Sequence, residues 1–204
     1  MGFYDDQVLP RLTDLALGRP MEGVRSRVVS GLKGDVLEVG FGSGRNLTHL
    51  PPEVTRLRAV EPSPGGRSIA SKRIRASTVP VEFVGTDGQE IPLPDGSVDH
   101  VLVTWTLCTI PDVEQALSEM HRVVRPGGTL RFAEHGRSPD PKMAARQDRW
   151  NPQWGRLFGG CNINRSIDEL VESAGFELTE VDSYALQKRS IAGYLYEGTA
   201  TKHG

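Results

Sequence analysis

The stretch Asp35-Val36-Leu37-Glu38-Val39-Gly40-Phe41-Gly42-Ser43-Gly44 decides the fold of this 204-residue chain. It begins as a short, mostly apolar run that is typical of a buried strand. Glycine then recurs at every second position, which permits backbone conformations that other residues avoid and lets a ligand approach the main chain. A strand that leads into such a loop predicts a small-molecule site at the end of the strand. A purely structural turn would give the same local pattern.

Strands and helices alternate along the rest of the chain. Asp112 with Gln115, and Ser166 with Glu169, have the spacing of helix-capping boxes. The pattern predicts an α/β fold with a mostly parallel sheet, helices on both faces and an antiparallel strand near the edge. The predicted strands are 35–39, 56–60, 79–84, 98–104, 129–133, 176–184 and 191–196, the predicted helices are 65–76, 112–124 and 166–175, and the region after residue 135 is predicted to be irregular.

Composition indicates one globular domain over residues 1–204, because 37% of the residues are hydrophobic and 25% are charged. The net charge of −2 gives no overall attraction for nucleic acid. Cys108 and Cys161 are too few for a disulfide framework and form no CxxC pair, so we expect reduced thiols and no metal. The chain shows neither a signal-peptide pattern nor an apolar run of roughly 18 residues. We therefore expect a cytoplasmic protein without stable membrane insertion.

Three features indicate which ligand the glycine loop holds. The dinucleotide motif GxGxxG would place its third glycine at Arg45, whereas this loop follows GxGxG. Glu61 ends the second predicted strand, 17 residues after Gly44, where its carboxylate can accept hydrogen bonds from ribose hydroxyls. Asp87 follows the third strand and can accept a hydrogen bond from an adenine amino group, or it is a turn residue. Together these features predict an adenosine-containing cofactor that needs no pyrophosphate cradle.

The motifs VLEVGFGSG, AVEPS, TDGQEIPLPDGSVDHV and ALSEMHRVVRPGG, between about residues 30 and 135, resemble the class I S-adenosylmethionine-dependent methyltransferases. The resemblance implies a Rossmann-like, seven-stranded sheet with an antiparallel edge hairpin. It also implies S-adenosylmethionine as cofactor and S-adenosylhomocysteine as product. The residues that it places around the cofactor are Glu38, Gly40, Phe41, Gly42, Gly44, Asn46, Glu61, Pro62, Asp87, Gly88 and Thr104.

The C-terminal motifs TWTLC, EHG and GGCNINR resemble one branch of these enzymes. It contains bacterial small-molecule methyltransferases and the methyltransferase-like thiol methyltransferases of animals. Membrane-associated members carry an apolar N-terminal anchor that this sequence does not show, so membrane association is not expected. The branch implies a small-molecule acceptor, with a thiol as a hypothesis.

On the acceptor side, His135 is the candidate general base because it follows the fifth strand and its ordinary pKa lies near neutrality. Anchoring a loop is the equally weighted alternative for His135. Trp105 follows the fourth strand and is the best candidate for an apolar pocket wall, whereas Cys108 also fits a small buried hydrophobe. The acceptor-side candidates are Trp105, Cys108, Trp150, Trp154, Cys161 and Arg165.

The predicted layout has three parts: residues 1–30 as a helical cap or lid, 31–135 as the cofactor-binding core, and 136–204 as the acceptor-pocket region with the terminal strands. The lid hypothesis depends on apolar residues near the N-terminus, which are Phe3, Tyr4, Val8, Leu12 and Leu15. A non-catalytic S-adenosylmethionine-binding regulator, and O- or C-methylation of a phenol or quinol, remain open alternatives. The sequence does not indicate an oligomeric state.

Overall fold

The computed structural model describes residues 8–187 and 190–204. Its seven strands form one sheet in the order β3-β2-β1-β4-β5-β7-β6, in which only β7 runs antiparallel to its neighbours. The predicted fold class is therefore confirmed, with the antiparallel strand lying second from the edge. The strands are β1 (Gly34–Val39), β2 (Val54–Val60), β3 (Val81–Gly85), β4 (Val98–Thr104), β5 (Val124–His135), β6 (Glu177–Ala185) and β7 (Tyr194–Thr201).

Helices cover both faces of this sheet. Alternate residues of a strand face opposite sides, and in β1 Val36 joins one hydrophobic cluster whereas Leu37 and Val39 join the other. The first cluster packs against α2 and α3, and the second against α4 and α6. The helices are α1 (Leu9–Ala16), α2 (Glu22–Val28), α3 (Pro64–Ala76), α4 (Val113–Val123), α5 (Pro141–Leu157) and α6 (Ile167–Ser173).

The region after residue 135 contradicts the prediction of irregular structure, because it contains the 17-residue helix α5. Asp140 caps this helix by accepting a hydrogen bond from the backbone N–H of Lys142. Pro152 lies inside the helix, where proline ordinarily costs about 3 kcal/mol. Tertiary contacts rather than local propensity therefore hold α5 together.

Neither predicted capping box forms in full. Asp112 caps α4 and accepts from the N–H of Gln115, but the Gln115 side chain donates to the carbonyl of Gln89 instead of returning to Asp112. Ser166 occupies the N-cap of α6 without a side-chain hydrogen bond. The final strand begins at Tyr194, three residues later than predicted.

Helix α1 exposes two of the apolar residues on which the lid hypothesis depends. Leu12 is 49% exposed and Leu15 is 75% exposed, so these side chains do not pack into the core. Phe3 and Tyr4, the other part of the lid hypothesis, lie outside the described residues. Among the described residues, no helix combines the length and the apolar character needed to cross a bilayer.

Candidate active site

The sheet topology gathers the candidate residues at one edge. Strand β1 pairs in parallel with β2 on one side and with β4 on the other, so the strand order reverses there. Ligands of open α/β sheets bind at the carboxyl ends of the strands at such a reversal. The glycine loop after β1, Glu61 after β2, and Thr104 at the end of β4 all reach this position.

The glycines of the loop have distinct structural roles. Gly40, Gly42 and Gly44 all have positive φ values, of 79°, 56° and 72°, which favour glycine. A Cβ at Gly40 would lie 1.9 Å from Thr106 Oγ1, so Gly40 is required by its packing against Thr106. A Cβ at Gly42 would meet only the Gly40 carbonyl, at 3.9 Å. Gly42 therefore faces the open cradle, and the chain continues into a 3₁₀ turn over Arg45–Thr48.

Glu61 links the glycine loop to the end of β2. Its Oε2 accepts a hydrogen bond from the N–H of Gly42 at 2.5 Å, and its Oε1 accepts from the N–H of Ser63 at 2.7 Å. Burial raises the pKa of this carboxyl, against the effect of both hydrogen bonds. Each oxygen keeps lone-pair capacity for a hydroxyl donor. Pro62, the neighbouring candidate, is exposed beside it.

A buried polar network joins β1, β4 and the 3₁₀ turn. The Asn46 amide donates to Glu38 Oε1 at 2.8 Å and to Thr104 Oγ1 at 3.1 Å. Burial raises the pKa of Glu38 to about 8, although the Asn46 hydrogen bond and the charge of Arg25 oppose this effect. The structure thus brings three predicted cofactor residues into direct contact.

Arg25 of α2 completes this network, and the sequence reasoning missed it. Its guanidinium donates to Asn46 Oδ1 at 2.7 Å and to Thr104 Oγ1 at 3.3 Å, and it lies 4.6 Å from the centre of the Trp105 ring. Burial lowers its pKa to about 10, so it remains a cation at neutral pH. A signal was present: Arg25 is three and four residues before Val28 and Val29, both of which are buried.

The remaining cofactor candidates differ in what they offer. Asp87 is exposed, and its Oδ1 accepts hydrogen bonds from both the N–H and the side-chain amide of Gln89, as a turn residue does; its role towards adenine stays a prediction. Gly88 is buried, and a Cβ there would lie 2.8 Å from Val39 Cγ1. The ring of Phe41 packs edge-on against Phe83 in the core, which leaves only its backbone for the loop.

Trp105 is the only described non-glycine residue with a positive φ, at 51°. Such a conformation is uncommon for a bulky residue and is often found at functional sites. The N–H of Trp105 donates to the Ala133 carbonyl at 2.8 Å, and the guanidinium of Arg25 lies over its indole. The backbone thereby turns the indole of Trp105 towards the polar network of Asn46 and Thr104.

Cys108, His135 and Cys161 converge from three distant segments. One ligand atom from each lies within 4.8 Å of the other two. The hydrogen bond between the thiols lowers the pKa of Cys161, with further contributions from His135 and Trp154. The same bond raises the pKa of Cys108, which is also buried and faces Glu134. Sequence reasoning selected all three residues but did not predict that they meet.

Glu134 organises the loop that joins the polar network around Thr104 to the cluster of Cys108, His135 and Cys161. It was not among the predicted site residues. Its fully buried carboxylate accepts hydrogen bonds from the N–H groups of Thr106, Leu107 and Cys108, at 2.8, 3.0 and 3.3 Å. Burial raises its pKa to about 7 against the effect of these bonds. The sequence feature that could have identified Glu134 is a carboxylate at the end of a predicted buried strand.

Two acceptor-side candidates do not line the site as expected. Trp150 is 51% exposed on α5, whereas Trp154 packs against the buried cysteines and stacks on Phe158 with ring centres 4.1 Å apart. Arg165 binds main-chain carbonyls rather than an acid: it donates to those of Leu107 and, at 2.9 Å, Ile110. Arg165 is therefore a positioning residue for the loop after β4.

The polar atoms at the glycine-loop end fit S-adenosylmethionine. Within the described chain, Glu38 Oε2, Arg25 Nε and Trp105 Nε1 are buried without hydrogen-bond partners. Buried polar atoms ordinarily have partners, and the amino and carboxylate groups of the cofactor's methionine end supply both donors and acceptors. The open cradle at Gly42 and the free lone pairs of Glu61 suit the adenosine end.

Comparison with known proteins agrees with this site. A family profile described as a methyltransferase domain matches residues 37–132. The human thiol S-methyltransferase TMT1A is 34% identical over 176 residues, covering 78% of this chain and 69% of that protein. Its human relative TMT1B is 31% identical, with 80% and 72% covered. The structure of a SAM-dependent methyltransferase from Thermotoga maritima matches with a TM-score of 0.69 and 21% sequence identity, and the match covers 98% of this chain and 97% of that one. This similarity concerns the fold alone.

Proposed function

Because this chain belongs to the class I S-adenosylmethionine-dependent methyltransferases, we propose that it methylates the sulfur of a small thiol. The observation that carries the thiol is the 34% identity to a protein named as a thiol S-methyltransferase over 78% of this chain. The acceptor-side candidates agree with it, because Trp154 packs with Ile163 and two cysteines in one apolar and polarizable cluster.

The residues of the chain have separable tasks in this reaction. Bound S-adenosylmethionine supplies an electrophilic methyl carbon. Glu61 would hold the ribose hydroxyls and Gly88 the adenine edge, while Arg25 binds the methionine carboxylate and Glu38 its ammonium group. Orientation of a bound acceptor supplies much of the rate in such displacements.

The acceptor must lose a proton before its sulfur attacks. A thiol with a pKa of about 8.5 is already partly ionised at neutral pH, so it needs only modest assistance. His135 lies on the acceptor side. Its Nδ1 is buried and has no hydrogen-bond partner among the described residues. We propose that His135 promotes this ionisation, which is one of the two roles that the sequence leaves open for it.

Helix α1 is the proposed lid. Asp14 accepts a hydrogen bond from Ser43 Oγ at 2.5 Å and forms ion pairs with Arg45 at 2.8 Å and Arg73 at 3.3 Å. The same helix reaches the turn after α5, because a Cβ at Gly159 would lie 2.6 Å from Leu9 Cδ2. Helix α1 would thus close over both the cofactor loop and the acceptor segment and exclude water.

The proposed setting is the cytoplasm, with a small molecule rather than a nucleic acid as acceptor. Both cysteines are unpaired, as expected for a reducing compartment. The net charge of −2 offers no attraction for a polyanion.

Calorimetric titration with S-adenosylmethionine, followed by incubation with a matched acceptor series, tests the proposal. The series carries a thiol, an alcohol, an amine or a phenol on comparable apolar skeletons. We expect saturable cofactor binding and methylation of the thiol alone. Binding without any turnover would favour a regulator, and methylation of the phenol alone would refute the thiol assignment.

A pair of glycine variants checks that turnover depends on the cradle. Gly42→Ala should abolish cofactor binding, because its Cβ enters the open space of the loop. Gly127→Ala is the matched control: its φ is 74° and a Cβ there meets nothing within 4 Å. The control has comparable backbone strain at a position far from the site, so it should bind the cofactor normally.

A further inference from the structure

We propose that Cys108, Cys161 and His135 bind a thiophilic divalent cation, Zn²⁺, whose fourth position takes the acceptor thiol. The inference rests on the proposed function for the identity of the fourth ligand, but the metal site itself rests on the side chains. Two thiolates and one imidazole with an open position form a ligand set that zinc enzymes use for catalysis.

The distances are compatible with this site. Zinc lies about 2.3 Å from sulfur and about 2.0 Å from nitrogen, so tetrahedral ligand atoms are roughly 3.3–3.8 Å apart. The ligand atoms of the cluster already lie within 4.8 Å of one another. A contraction of about 1 Å, which small side-chain rotations provide, would complete the geometry.

The backbone fixes the three ligands in advance. The carboxylate of Glu134 holds the N–H of Cys108, and the carbonyl of Cys108 accepts from the N–H of Asn162 at 2.6 Å and from its side-chain amide at 3.2 Å. The segment carrying Cys161 is therefore clamped to the segment carrying Cys108. His135 is held at the end of β5 by its pairing with Leu195 of β7.

A donor and a cation lie beside the two sulfurs. The indole of Trp154 packs against the cluster of Cys108 and Cys161, and its Nε1 is buried and lacks a hydrogen-bond partner in the part of the chain described. The guanidinium of Arg165 lies against the main chain on both sides of Cys108, because it donates to the carbonyls of Leu107 and Ile110. Two thiolates neutralise Zn²⁺, so the buried site would carry no net charge of its own.

The proposal leaves one coordination position for the acceptor thiol. In the described chain no fourth His, Cys, Asp or Glu belongs to the cluster, and Cys108 follows Trp105 at the cofactor side. A thiol that binds there as a thiolate releases its proton to water, since metal coordination deprotonates a thiol. Its sulfur then forms the bond to the methyl carbon as the sulfonium bond breaks, and that electron pair leaves with S-adenosylhomocysteine. With zinc bound, His135 would promote ionisation of the acceptor thiol as a metal ligand, which would replace the role of free base proposed for the metal-free reaction.

Cobalt titration of the reduced, metal-free full chain tests the site without reference to turnover. We expect Co²⁺ to give thiolate-to-metal charge-transfer absorption and tetrahedral ligand-field bands, and Zn²⁺ to displace it. Cys108→Ser, Cys161→Ser and His135→Gln should each weaken binding by at least about tenfold, whereas His49→Gln, outside the cluster, should match wild type. Absence of the tetrahedral thiolate spectrum in wild type would overturn the proposal.

Two measurements on the unaltered chain keep the test independent of how the variants fold. Zn²⁺ should protect both cysteines from alkylation by iodoacetamide, as read by mass spectrometry, and adding an alkyl thiol should change the cobalt spectrum. Thiol methylation at full rate after verified metal removal would overturn the metal proposal and leave the proposed function intact. Cobalt binding through both sulfurs without thiol methylation would support the site and refute only the acceptor.

Discussion

The substitution Glu134→Gln gives the sharpest test of how the loop after β4 is built. The variant keeps the shape of the side chain, and its amide oxygen can still accept from the N–H groups of Thr106 and Leu107. Its NH₂ group would face the N–H of Cys108, which in the wild type donates to Oε2 at 3.3 Å. Leaving this buried donor without a partner costs about 1–3 kcal/mol.

The cost of Glu134→Gln should also depend on pH. Burial raises the pKa of Glu134 from its ordinary value of 4.5 to about 7. The folded wild type therefore binds its proton more tightly than the unfolded chain, and this stabilisation is complete below pH 4.5 and lost as pH rises through 7. At about 1.4 kcal/mol per pH unit, this contribution is about 3 kcal/mol. The variant has no such proton, so its deficit in stability should shrink between pH 5 and pH 8.

Urea unfolding of both proteins at pH 5 and pH 8, followed by tryptophan fluorescence and circular dichroism, measures this difference. Burial also raises the pKa of Glu38. Because Glu38 is present in both chains, comparing wild type with the variant removes its contribution to the pH dependence. Glu172→Gln, at an exposed position on α6, is the matched control and should give no pH-dependent difference. A deficit of equal size at both pH values would refute the role assigned to burial of Glu134.

Three further predictions address the cofactor half of the site. Arg25→Met should weaken S-adenosylmethionine binding by about ten- to a hundredfold in calorimetry, since a charged hydrogen bond contributes about 1.5–3 kcal/mol; an unchanged Kd would contradict it. Asp14→Ala should speed cofactor release several-fold in stopped-flow fluorescence, and an unaltered release rate would remove the argument for a lid. Gly40→Ala should lower the free energy of unfolding by more than about 2 kcal/mol, and by less when Thr106→Gly is also present. If the costs of the two substitutions simply add, the contact between residue 40 and Thr106 is unimportant.

The local pattern of apolar residues in the sequence predicted the strands correctly where they are buried on both faces. Strand β4 has the predicted bounds because its β-branched and apolar residues alternate little with polar ones after Asp99, and every residue from His100 to Thr104 is buried. Helix α5 was missed because local pattern does not determine it. Gln147 is its anchor: the buried side-chain amide donates to the carbonyls of Gly136, Ile163 and Ile191. No periodicity in the sequence reveals a helix fixed by a glutamine.

The site was predictable to the extent that strand ends determine it. Thr104 and His135 end neighbouring parallel strands, so their proximity to the glycine loop follows from topology. Cys161 could not be placed in that way, because it lies in the turn after α5 and reaches Cys108 only through the tertiary hydrogen bonds of Asn162. Trp150 was assigned to the pocket on residue type alone, whereas its position on α5 leaves half of the side chain in solvent.

One carboxylate lies between the proposed cofactor side and the proposed acceptor side. On one side, Arg25 and Asn46 tie the end of β4 to the glycine loop through hydrogen bonds that involve no residue after Thr104. On the other, Cys161 approaches through the segment that follows α5. Glu134 lies between the two sides, because its three accepted hydrogen bonds fix the turn from Thr106 to Cys108 whatever occupies either side. Substitutions in the α5–α6 segment can therefore change the acceptor while cofactor affinity is preserved, whereas loss of Glu134 would disturb both sides together.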